Sequence, residues 1–189
     1  PQGHPTLKPW QRQALFLAQV TPEKEENFQM MSESLLAWGW QVTSAGNWRH
    51  KGIQNLGWVK EVQPLLRHSN LVIGTGRAVR EGMAAGCAVW VLGAYSDGLV
   101  TPNNVGLLQQ TNFSGRSSKK PFCPEKAAKH LEKPSPQQFQ ALGAFGRTYA
   151  SRYFSIQEMV QNLSIVYNEC MGKSSSENYT QDRNMVTNV

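Results

Sequence analysis

The sequence predicts an α/β domain: a parallel sheet with helices on both faces. Short apolar runs such as "ALFLAQV" (14–20), "NLVIG" (70–74) and "AVWVLG" (88–93) alternate with segments of helical period. That is the order of βαβ units, whose crossovers lay helices on the sheet. The runs are apolar at nearly every position, as strands buried on both faces are, whereas a strand wetted on one side alternates. A chain of 189 residues, 40% of them hydrophobic, has material for one domain of the upper size range and a sizeable core.

Taken in order, residues 1–12 are polar and proline-bearing and read as a linker or frayed N-terminus. "ALFLAQV" is bounded by "TPEKEE" and forms the first strand. Thr21 then suits an N-cap and Pro22 the first helical position, where a missing N–H leaves nothing unpaired. Phe28, Met31, Leu35 and Trp38 recur at three or four residues, and Gly39 marks the helix end. "WQVTSAG" (40–46) is the second strand, and 47–58 offers a loop with one short strand. "VKEVQPLLRHS" (59–69) gives a brief helix that Pro64 either kinks or begins. "NLVIG", "RAVREGMAAG" and "AVWVLG" follow as strand, helix and strand. "GLVTPNN" (98–104) holds a short strand and a turn, and "NFSGRSSKKPFCPEK" (112–126) has no period and suits a surface loop. One helix begins after "SP" with "QQFQALGAFGRTYASRY". Another is "SIQEMVQNLSIVYNEC", where Ser155 and Glu158 have capping-box spacing and Ile156, Met159, Val160, Leu163 and Val166 line one face. Residues 173–189 are rich in Ser, Asn, Gln and Asp and read as a disordered tail, so the domain spans 13–172.

No apolar run is long enough to span a bilayer and none resembles a signal peptide, so a cytoplasmic location is expected. The net charge of +6 suits anionic ligands in general and extends that expectation to peripheral contact at the inner face of a membrane. The basic stretches "GRSSKKP" (115–121) and "NWRHKG" (47–52) lack the density and aromatic alternation of a nucleic-acid platform, and nucleic acid is not the expected partner. Cys87, Cys123 and Cys170 are far apart and odd in number, which argues against a disulfide or zinc framework. His4, His50, His68 and His130 are scattered, and no metal site is expected.

The densest signal is "NLVIGTGRAVREGMAAGCAVWVLG" (70–93). Gly74 and Gly76 follow a strand and precede a helix, with Thr75 between them. Glycine lets backbone approach a ligand closely, and the amides at a helix start attract negative charge. The Gly-x-Gly-x-x-Gly fingerprint is incomplete, because Val79 stands at its third position, and there is no Gly-Lys-Ser/Thr of a P-loop. By spacing alone the loop is either an anion or nucleotide cradle or a tight turn that packs helix on strand. Glu81, one turn into the helix, sits among Gly82, Met83, Ala84 and Ala85. Its carboxylate suits paired ribose hydroxyls or, on a solvent face, the N-terminal helix dipole.

Residues 70–93 resemble the donor-nucleotide half of GT-B glycosyltransferases, the glycogen-synthase-like (family 4-like) retaining group in particular. The usual run there is an apolar strand, a small-residue loop, then E-A-M-A-x-G-x-P-V. Here it is "EGMAAGCAV", with Gly82 and Ala88 replacing the common alanine and proline. "VTPEKEENF" (20–28) is similar to that family's "PEKG" segment, "GLVTPNN" to the stretch that closes its nucleotide crevice, and "FSIQEMVQNLSIVYNEC" to its terminal helix. The likeness covers about residues 14–170 and implies a Rossmann-like fold, a single GT-B half. It implies an NDP-sugar of the UDP or GDP type as substrate, with no cofactor and no metal. Glu81 would bind the donor ribose, and the loop Gly74, Thr75 and Gly76, with Arg77 nearby, would meet the diphosphate. Lys24 stands where the family often has a phosphate-contacting lysine, and the backbone around Val59, with Trp58 beside it, falls where the base is read. In the loop 93–98, Tyr95 and Asp97 either approach the donor sugar or belong to a simple turn.

Two positions depart from the family pattern. Gln19 stands where an arginine is common, and Ile73 stands eight residues before Glu81, where a retaining enzyme has its first glutamate. No catalytic residue is therefore assigned. The resemblance implies the nucleotide-sugar-binding domain of a glycosyltransferase that moves a sugar to an acceptor hydroxyl. Turnover would depend on an N-terminal acceptor domain or partner chain, because catalysis needs both reactants in register. The alternatives are the donor half of a nucleotide-sugar 2-epimerase, and an interaction or regulatory module that keeps the fold without its ligand.

Overall fold

The computed structural model describes residues 10–171. The expected tail at 173–189, most of the expected linker at 1–12 and the side chain of Glu158, and so its capping box, lie outside the described residues. The chain divides into two compact units, one up to Ala150 and one from Ser151.

In the first unit, the three apolar runs become strands of one six-stranded sheet. Its strands are β1 (Gln13–Ala18), β2 (Gln41–Gly46), β3 (Gln54–Asn55), β4 (Leu71–Gly74), β5 (Ala88–Leu92) and β6 (Ser96–Leu99). They lie in the order β3-β2-β1-β4-β5-β6. All neighbours are parallel except β5 and β6, which pair antiparallel with a register shift at Val91/Leu92. Between them run α1 (Pro22–Ala37), α2 (Gln63–His68) and α3 (Arg77–Ala84). The α/β architecture is therefore Rossmann-like, in the strand order of a dinucleotide fold.

The core explains why the strands read as unbroken apolar runs. Phe16 and Ile73 belong to one core cluster with Phe28, Met31 and Leu35 of α1, while their neighbours Leu15 and Val72 are equally buried on the other face. Gly82 of α3 lies so near Val72 and Val89 that a Cβ there would sit 3.0 Å from each side chain. Helices thus cover both faces. α1 begins as expected at Pro22 with Thr21 at the N-cap, but Thr21 makes no side-chain capping bond. α2 begins beside Pro64 rather than kinking at it.

Two further helices flank the stretch without period: α4 (Val105–Gln110) before it and α5 (Pro124–Leu131) at its end. α5 delivers Ala127 and Leu131 to the core, and the Leu131 carbonyl accepts from the buried indole of Trp40 at 2.8 Å. α6 (Pro136–Tyr153) adds Phe139, whose ring meets those of Trp10 and Trp40 at 5.2 and 5.7 Å. The second unit contains α7 (Ile156–Cys170), with the Met159 N–H on the Ser155 carbonyl at 3.0 Å.

Candidate functional site

A strand order that runs outward in both directions from β1 and β4 has its topological switch between those two strands. Loops leaving their carboxyl ends part there and open a crevice. Such a crevice is present. A cavity of about 410 Å³ is lined by Leu17, Ala18 and Gln19 at the end of β1, Ala45 and Gly46 at the end of β2, and Thr75, Arg77, Ala78 and Glu81 after β4. Lys24 enters from α1, and Trp58, Val59, Lys60 and Val62 form the wall between β3 and α2. Six predicted site or neighbouring residues (Lys24, Trp58, Val59, Thr75, Arg77 and Glu81) thus converge from three separate parts of the sequence.

The glycine loop is shaped by close approach. A Cβ on Gly74 would lie 2.6 Å from the Leu17 carbonyl and 2.9 Å from the Ala78 Cβ, so only glycine lets β1 and α3 meet there. Gly76 has φ 54 and ψ −114 at the N-cap of α3, a conformation suited to glycine, and offers no side chain to its first-turn amides. Its own N–H is engaged, donating to the Phe113 carbonyl at 3.0 Å. Gly76 itself lines a cavity beside this loop.

Glu81 resolves neither as a bare solvent residue nor as a lone buried carboxylate. Its side chain is 21% exposed, and it accepts from Arg77 Nε at 2.7 Å across one helical turn. Arg77 is 90% exposed, so its other guanidinium nitrogens remain toward solvent and the cavity. Lys24 Nζ donates to the Gln19 carbonyl at 3.1 Å, which anchors the ammonium at the end of β1. Trp58 is 72% exposed on the cavity wall, an apolar ring with one open face. Ile73 is fully buried in β4, and no carboxylate stands at that place.

A second cavity of about 300 Å³ adjoins the first, since Lys24 and Thr75 line both. Gly76, Ala94, Asn112, Ser114 and Arg116 complete it. Sequence reasoning missed this wall, because 112–126 has no hydrophobic period; only the three small residues Ser114, Gly115 and Ser117 around Arg116 hinted at a shaped turn. Asn112 and Phe113 both adopt left-handed φ, of 54 and 53. For phenylalanine that is strained, and it persists because its ring is fully buried and its N–H donates to the Leu108 carbonyl at 2.8 Å.

Tyr95 and Asp97 line neither of these two cavities. The Tyr95 N–H donates to the Gly115 carbonyl at 3.2 Å, and its own carbonyl accepts from Gly93 at 2.8 Å. The Asp97 carboxylate accepts from the amides of Ser117 and Ser118 at 3.2 and 2.7 Å and faces a separate cavity. The loop 93–98 reaches the crevice through Ala94 alone among its residues. Glu23, at the head of α1, has its carboxyl pKa held below the ordinary 4.5, first by its own backbone N–H, with the Thr21 hydroxyl, Lys24 and Arg116 adding. Among the described residues no group of three or more His, Cys, Asp or Glu stands ready for a metal, and no helix is long and apolar enough to cross a membrane.

No protein-family model matches this chain, and no curated protein sequence does either.

Proposed function

We propose that the crevice binds the nucleotide of an NDP-sugar and that the chain is the donor domain of a glycosyltransferase. The observation that supports this reading is the cavity at the switch point, where Lys24, the helix start after Thr75, Glu81 and the exposed Trp58 ring surround one volume. Each part suits a different part of a nucleotide. The Trp58 and Val59 wall offers an apolar surface to a base, the Glu81 carboxylate suits vicinal hydroxyls, and the cation and helix dipole suit phosphate. Binding would separate Arg77 from Glu81: ribose takes the carboxylate and phosphate takes the guanidinium.

During transfer, negative charge develops on the β-phosphate as the sugar leaves. Lys24 and the α3 start would stabilise that charge, the form of catalysis in which fixed dipoles and cations serve best. The acceptor hydroxyl needs a second surface to hold it in register, which we assign to another domain or to a partner chain. The working location on this reading is the cytoplasm or the inner face of a membrane, where nucleotide sugars and a basic surface would meet.

A second reading, an interaction module that no longer binds a ligand, is favoured by the Arg77–Glu81 pair, which already satisfies the carboxylate. Thermal unfolding with UDP, GDP or ADP separates the two. The donor-domain reading expects one nucleotide to stabilise the chain by about 2.7 kcal/mol at roughly a hundredfold excess over Kd. An unchanged melting temperature with all three would support the module.

A further inference from the structure

We infer that Arg116 is the second phosphate-binding cation of this crevice and sets its preference for a nucleoside diphosphate over a monophosphate; the inference rests on the nucleotide reading above. The sequence places Arg116 in a basic, periodless loop, but the hydrogen bonds on both sides of it make that loop a fixture. On one side Phe113 accepts from Gly76, and Gly115 accepts from Tyr95. On the other, Asp97 accepts from Ser117 and Ser118. Arg116 is thereby delivered to the wall of the second cavity, across which stand Lys24 and Thr75.

The two cavities adjoin at Lys24 and Thr75, which line both, and together they define an axis. Trp58 and Glu81 stand at the nucleoside end, and Arg116 stands at the other. A phosphate attached directly to the nucleoside reaches Lys24 and the start of α3. Only a further phosphate extends into the second cavity. Arg116 is exposed and forms no ion pair among the described residues, whereas Arg77 is engaged with Glu81. Lys24 and Arg116 line the same second cavity, so the two cations share one neighbourhood. A guanidinium there can bond two phosphate oxygens at once, which an ammonium cannot do in a fixed plane. Arg116 thus offers from a different loop the positive charge that Gln19 does not.

Calorimetric titrations of the wild-type chain and of Arg116→Ala with UDP and UMP, GDP and GMP, and ADP and AMP test this. For whichever base binds, Arg116→Ala should weaken the diphosphate by about 10- to 100-fold and leave the monophosphate unchanged. Arg116→Lys should recover part of the loss, and both variants should melt with the wild type because the side chain is exposed. Equal loss for mono- and diphosphate, or no loss for either, would overturn the role of Arg116 while leaving the nucleotide site intact. A wild-type chain that binds none of the six would overturn the underlying reading and this inference with it.

Discussion

Asn27 carries more structure than its size suggests. It is 4% exposed, and its amide donates to the carbonyls of Gly93 and Ala94 at 3.2 and 2.9 Å while its oxygen accepts from Phe122 at 2.8 Å. One side chain thus ties α1 to the turn after β5 and to the chain entering α5. Replacing Asn27 by Ala strands two buried backbone groups and one part-buried one, and chemical denaturation should show a loss of about 2–4 kcal/mol. Glu23 allows a pH test at the same scale. Its folded pKa is lowered, so its contribution to stability is fully present above the ordinary value of 4.5 and is lost as pH falls through the folded value. NMR titration of the carboxyls should find Glu23, and Glu125 beside the Cys123 thiol, protonating below the ordinary 4.5. Glu81 was legible at this scale because a carboxylate among small apolar residues needs a reason. Arg116 was not, because nothing in its local sequence tells a phosphate ligand from a solvated cation.

At the scale of elements, the helices and strands that sequence reveals are those whose burial imposes a period. β1, β4 and β5 are buried on both faces and read as apolar runs, and α1 announces itself through Phe28, Met31 and Leu35. α4 and α5, six and eight residues long, are held by contacts remote in sequence such as Trp40 to Leu131, which no local pattern reveals. Loop 111–120 is the extreme case: its shape depends on Gly76, Tyr95 and Asp97, none of which lies within it. That dependence gives a prediction. Asp97→Ala should cost about 1–3 kcal/mol by freeing the Ser117 and Ser118 amides. It should also weaken diphosphate binding by loosening Arg116, with monophosphate affinity unchanged in the same calorimetric series. If Asp97 instead touched the donor sugar, the variant would keep its stability and its affinity for the free diphosphate.

For the whole molecule, topology decides where a ligand can sit. The order β3-β2-β1-β4-β5-β6 places a crevice beyond β1 and β4, and that crevice gathers Lys24, Trp58, Val59, Thr75, Arg77 and Glu81. The α/β class follows from the apolar runs and their spacing, but the convergence of these residues depends on a strand order that no local pattern encodes. The central claim is that this crevice holds a nucleotide by its ribose and phosphates. The most direct measurement is a calorimetric titration of the chain with UDP, GDP and ADP, repeated on Glu81→Ala after circular dichroism has confirmed its fold. The account predicts saturable binding of one nucleotide and a loss of about tenfold or more in the variant. No binding by the wild-type chain, or equal affinity in a folded Glu81→Ala, would contradict it.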